Sequence, residues 1–73
     1  MKQEEQFTAL YKQYAPGIRK LCLGYTGDAV LAEDLLQESF VKVWKNMDKF
    51  RGDAAWSTWI YRIAANTCLT HLR

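Results

Sequence analysis

Apolar residues recur at steps of three and four along almost the whole chain, and few helix breakers interrupt them. Phe7, Leu10, Tyr11 and Tyr14 form one such stripe, and Ile18, Leu21, Cys22 and Tyr25 continue it. This is the periodicity of an amphipathic helix. The only proline, Pro16, falls between the two halves of the stripe. Proline suits the first turn of a helix, where its missing N–H has no partner to lose. The pattern predicts a helix through Tyr14 and a second from Pro16, sharing a face as one kinked rod. Gly24 and Gly27 end it, and Asp28 is a good N-cap for the next helix.

That next helix is predicted from Ala29 to Asn46. At about 100° per residue, Ala32, Leu36, Phe40, Val43 and Met47 share a core face. Asp34, Gln37, Glu38, Val41 and Lys45 form the opposite stripe. A loop over Asp48 to Ala54 comes after it, with Asp53 as N-cap of a last helix running to the end of the chain. On that helix Trp56, Trp59, Ile60, Ile63 and Ala64 make one apolar face, and Tyr61, Ala65, Cys68 and Leu72 another. Between them lies a narrow polar edge, Arg62, Asn66 and Arg73. A helix apolar nearly all round is expected to be buried on most sides. The expected fold is all-α, a bundle of three to four helices.

A chain of 73 residues holds one domain at most, spanning 1–73, with a small core and marginal stability. Its apolar content of 49% excludes a disordered chain. No stretch has the length of a membrane span, and Met1-Lys2-Gln3-Glu4-Glu5 is no signal peptide, so a cytoplasmic protein without membrane insertion is expected. Helical pattern persists to the last residue without a capping signal, which points to a fragment of a longer chain. Cys22 and Cys68 are too few and too far apart for a disulfide framework, and His71 is the only histidine. No metal and no cofactor are expected; the cysteines read as buried thiols packing as small hydrophobes.

Charge divides unevenly. Residues 1–40 carry four basic and six acidic side chains; residues 41–73 carry six basic and two acidic ones. The basic half suits phosphate and the acidic half a basic protein surface. Within the acidic half, Asp34, Gln37 and Glu38 read as a solvated face with i,i+4 pairs or as a docking stripe for arginines. Val41 and Val30 would add apolar contact area there. In the basic half, Lys49, Phe50 and Arg51 precede Trp56 and Trp59. Cations and rings interleaved beside a helix N-terminus suit a single nucleic-acid strand, and equally suit plain packing. Arg62 and Asn66 have the chemistry to read base edges. No nucleophile–base pair, metal cluster or phosphate loop is present, so no enzymatic activity is expected.

The blocks Ala32-Glu33-Asp34-Leu35-Leu36-Gln37-Glu38-Ser39-Phe40, Val43-Trp44, Phe50-Arg51-Gly52-Asp53-Ala54 and Thr58-Trp59-Ile60-Tyr61-Arg62-Ile63-Ala64-Ala65-Asn66 together resemble region 2 of the extracytoplasmic-function (ECF) sigma factors, in the sigma-70 family of bacterial RNA polymerase sigma factors. The resemblance covers nearly the whole chain. It implies that Asp34, Gln37, Glu38, Val41 and Lys45 dock on the clamp coiled coil of the polymerase β′ subunit. It implies a loop, Phe50, Arg51, Gly52, Asp53 and Ala54 with Ala55 and Trp56 next to it, that captures a base flipped from the minus-ten promoter element. Arg62, Ile63 and Asn66 match positions that touch the upstream duplex edge. The implied partners are core RNA polymerase, promoter DNA and an anti-sigma factor. Where housekeeping members carry two adjacent tryptophans, this chain has Trp59-Ile60, which implies a weaker melting wedge. The domain that reads the minus-thirty-five element is absent, so these residues alone are not expected to direct initiation. The competing expectation is a helical protein-interaction bundle, an adaptor or regulator-binding domain, without direct DNA contact.

Overall fold

A computed structural model describes residues 2–50, 52 and 54–72. The order is α1 (Lys2–Thr26), α2 (Ala29–Asn46), a short 3₁₀ turn (Met47–Lys49) and α3 (Trp56–Leu72), with no strand among the described residues. The fold is an all-α bundle of three helices.

The first two expected helices are one, and α1 runs through Pro16. Proline costs the Lys12 carbonyl its i+4 donor. Both Lys12 and Pro16 face solvent, so water can satisfy that carbonyl. A 25-residue helix is roughly 37 Å long, which accounts for the 35 Å long axis of the bundle.

Gly27 closes α1 at φ +67°, a left-handed conformation that glycine adopts without the steric cost of a Cβ. The Thr26 hydroxyl donates to the Cys22 carbonyl at 3.0 Å and accepts from the Asp28 N–H at 3.2 Å. Asp28 then caps α2 as expected, its Oδ1 accepting from the N–H groups of Val30 (2.9 Å) and Leu31 (3.1 Å). Two residues thus reverse the chain and hold α2 antiparallel to α1. Three contacts along that seam fix its register. Gln3 Nε2 donates to the Trp44 carbonyl, the Tyr11 and Phe40 rings meet at 4.8 Å, and Arg19 pairs with Glu33.

On α2 the core face that periodicity predicts is buried, and Leu35 joins it. Ala32, Leu36, Phe40, Val43 and Met47 are all buried, packed with Leu10, Ala15, Ile18 and Cys22 of α1 and Ile60, Ala64 and Cys68 of α3. Two hydroxyls enter this core, Ser39 and Thr67. Each donates to the carbonyl four residues back, at 2.7 and 2.8 Å, so neither enters without a hydrogen bond.

Helix α3 departs from its pattern. It buries a single face, Ile60, Ala64, Thr67 and Cys68, and leaves Tyr61, Leu69 and Leu72 exposed. Among the described residues α3 packs mainly on α1 and α2, so it has protein on one side, and apolar residues beyond that side stay in water. Cys22 lies against Cys68 and Gly17 under Tyr61, so α1 and α3 run parallel.

Candidate protein-docking and nucleic-acid surfaces

On α2, Asp34, Gln37, Glu38, Val41 and Lys45 all face solvent, while Leu35, Leu36, Ser39, Phe40 and Val43 are buried. The stripe is therefore the outer ridge of the helix. Glu38 pairs with Lys42 at 3.5 Å, an i,i+4 contact of the expected kind. Lys42 also donates to Thr67 Oγ1 at 3.1 Å, which ties the ridge to α3.

The inner border of the ridge is more ordered than sequence pattern alone conveys. Arg19 grips Glu33 with two hydrogen bonds, Nε to Oε1 at 2.8 Å and Nη2 to Oε2 at 3.4 Å. Gln37 Nε2 donates to the Tyr11 hydroxyl at 3.1 Å and to Glu33 Oε2 at 3.3 Å. Donation from Arg19 foremost, then from Gln37, lowers the Glu33 carboxyl below its ordinary value. The bond to Glu33 raises Arg19 correspondingly. Gln37 is thus held in place by α1.

Beside this network lies a groove of about 290 Å³ lined by Phe7, Tyr11, Gln37, Phe40, Val41 and Trp44. Phe7 stands edge-on to Trp44 (5.3 Å) and to Phe40 (6.1 Å). In the sequence Phe7 and Tyr11 are legible only as members of an apolar stripe. Their place in the groove depends on the register between α1 and α2, which no local pattern in α1 specifies. Trp44, 38% exposed, carries the one local hint, a large ring one turn from Val41 on the outer side of α2.

The second surface gathers where the 3₁₀ turn meets α3. Phe50, Trp56 and Trp59 are half-buried and form a cluster. Phe50 stacks face to face on Trp56 at 3.8 Å and 20°, and Trp59 stands edge-on to Trp56 at 5.5 Å. Trp56 and Trp59 also pack on the main core. The packing reading of these rings therefore holds, and each ring also keeps some exposed area. Gly52 takes φ +78°, which turns the chain from the 3₁₀ segment toward α3. Lys49 and Ala55 are exposed and Ala54 half-buried. Arg51 and Asp53, expected as loop residues, and Asp53 as the N-cap, lie outside the described residues, as does Arg73.

Arg62 and Asn66 are exposed one turn apart on α3, opposite its buried face, and Ile63 beside them is half-buried. The two lie about 6 Å apart along the axis. The ridge of α2 and this edge of α3 are outward faces of different helices.

Comparison with known proteins gives the chain as a whole a family context. The model of sigma-70 region 2 matches residues 10–73. The RNA polymerase sigma-H factor of Pseudomonas aeruginosa is 42% identical over 66 residues, 90% of this chain and 34% of that protein. The ECF RNA polymerase sigma factor SigG of Mycobacterium tuberculosis is 41% identical over 66 residues, 90% of this chain and 18% of its own length. The ECF RNA polymerase sigma-E factor of Salmonella typhimurium is 39% identical over 71 residues, 94% of this chain and 36% of that protein. The chain thus spans about a third or less of the length of these relatives.

Proposed function

The chain belongs to the sigma-70 region 2 family, and on that premise we propose that it grips core RNA polymerase with α2 while presenting α3 and the preceding loop to promoter DNA. The observation that carries this reading is the split of α2. One face makes the core, and the other holds Asp34, Gln37, Glu38, Val41 and Lys45 in water, beside an aromatic groove. Carboxylates accept bidentate hydrogen bonds from guanidinium groups, and Val41 with the groove offers apolar area. A basic helix surface, the β′ clamp coiled coil, is the matching partner.

The second half of the proposal is capture of a base from the minus-ten element. Unstacking a base costs a few kcal/mol, and stacking on an aromatic ring returns about 1–3 kcal/mol. Phe50 already covers one face of Trp56 at 3.8 Å. An incoming base therefore takes the other face of Trp56 or displaces Phe50. Arg62 and Asn66 then contact the adjoining duplex. Strand separation in this scheme uses binding energy alone, with no hydrolytic step. An anti-sigma factor covering the α2 ridge would block the first contact. The site of action is that of the polymerase, in the cytoplasm; no helix among the described residues is long and apolar enough to cross a membrane.

The test is a pull-down of the domain with the β′ clamp coiled coil. Asp34→Lys with Glu38→Lys should abolish retention while helix content stays unchanged. Full retention by that double variant would overturn the docking assignment. Mutual packing of Phe50, Trp56 and Trp59 is the observation that favours a protein-binding bundle without DNA contact. Trp56 fluorescence with single-stranded minus-ten oligonucleotides, polymerase present, separates the two: sequence-dependent quenching supports base capture, and none removes it.

A further inference from the structure

We propose that Cys22 and Cys68 form a reversible intramolecular disulfide that staples α1 to α3. The two residues are far apart in sequence, yet their Sγ atoms lie 3.5 Å from each other in the core. Both are free thiols with no solvent exposure. A disulfide needs a sulfur separation of about 2 Å, so the pair must close by roughly 1.5 Å. Two side chains reaching toward each other across a parallel helix seam can share that movement. The inference is independent of the polymerase and DNA readings, because neither residue lies on those surfaces.

The core decides how such a bond could arise. Burial foremost, then the hydrogen bond with Cys68, pushes the Cys22 thiol up to about 12. The thiolate is the attacking species, so the closed bundle is nearly inert. Attack awaits opening of the bundle, which small, marginally stable domains undergo continually. The oxidant is a low-molecular-weight disulfide. In an opened molecule one protein thiolate attacks a sulfur of that disulfide, and the first small thiolate leaves. The second protein thiolate then attacks the protein-bound sulfur, and the second small thiolate leaves. The domain loses two electrons and two protons, and the small disulfide becomes two thiols. Refolding drives the second step. Ile18, Leu36, Ile60 and Ala64 around the helix seams are fully buried, so a core that keeps the small thiol attached to one sulfur cannot close. The internal disulfide takes no added room. A dithiol reductant reverses the sequence.

The purified domain incubated with oxidised glutathione, with and without sub-denaturing urea, tests this. Intact mass should show loss of two hydrogens and no glutathione adduct. Peptide mapping should link the segments holding residues 22 and 68, and urea should accelerate the change. The bond closes a loop of 45 intervening residues, so the thermal midpoint should rise by on the order of 10 °C and fall back with dithiothreitol. Cys68→Ala should instead retain a glutathione adduct on Cys22. A lasting adduct on the wild-type chain, disulfide-linked dimers, or unreacted thiols in urea that opens the bundle would overturn the proposal. These outcomes stand on the wild-type chain even if the variant does not fold.

Discussion

Alanine at Gly17 and alanine at Gly24 are the same change in the same helix, and the bundle should answer them differently. Neither glycine has a positive φ, so each residue replaced by alanine gains about 0.5–1 kcal/mol of helix stability. A Cβ at Gly24 meets no atom within 4 Å. Gly24→Ala should therefore raise the thermal midpoint, by roughly 2–8 °C for a domain of this size. A Cβ at Gly17 would collide with the Tyr61 hydroxyl, the far end of a side chain already 36% exposed. Tyr61 can swing away, at the cost of its packing on α1. Exposing about 50 Å² of ring at ~25 cal/mol per Å² costs about 1.2 kcal/mol. Gly17→Ala should thus be neutral or slightly destabilising. In a Tyr61→Ala background the collision is gone, and Gly17→Ala should recover the stabilisation seen at Gly24. Chemical denaturation of the four variants in the cycle reads a coupling near 1 kcal/mol. Equal stabilisation by Gly17→Ala with and without Tyr61 would refute the parallel α1–α3 seam on which the placement of α3 depends.

Removing the Asp28 side chain with Asp28→Ala forfeits both cap bonds to Val30 and Leu31 and should cost about 1 kcal/mol in denaturant unfolding, whereas Asp28→Asn should retain most of that stability. Glu33 has a depressed carboxyl, so what its ion pair contributes is complete above the ordinary carboxylate range and is lost as pH falls through its own lower value. In an NMR titration the Gln37 side-chain amide should shift with that same midpoint, and an amide indifferent to Glu33 protonation would contradict the network. Arg62→Ala with Asn66→Ala touches only exposed side chains and should leave the thermal midpoint within a few degrees. Promoter binding by the polymerase complex should weaken at least tenfold by gel shift; unchanged binding would remove the α3 edge from the interface.

How much of the molecule is legible in its sequence depends on the range of the forces involved. The ends of α2 are legible because Asp28 is a local capping signal and the apolar period persists to Met47. The burial of Ala32, Leu36, Phe40, Val43 and Met47 comes from the same period. The outer ridge, Asp34 to Lys45, is legible as the complement of that face. Pro16 reads as a boundary, which local stereochemistry favours. The continuous helix prevails because Leu10, Ala15, Ile18 and Cys22 bury one uninterrupted face against the rest of the core. On α3, periodicity identifies the apolar residues but not how many neighbours cover them, so it places Tyr61 and Leu72 inside when both are exposed. The grip on Gln37, the groove beside it and the meeting of Cys22 with Cys68 all depend on register between distant helices. No spacing within one segment encodes that register.

At the centre of the proposed function, α2 and α3 serve different partners from different sides. Backbone amide NMR of the labelled domain, titrated with an isolated β′ coiled-coil fragment, tests this most directly. Perturbed signals should run along residues 34–45 and reach Phe7 and Tyr11, while Arg62 and Asn66 stay still. Signals moving first at Arg62 and Asn66, with the α2 ridge silent, would contradict it.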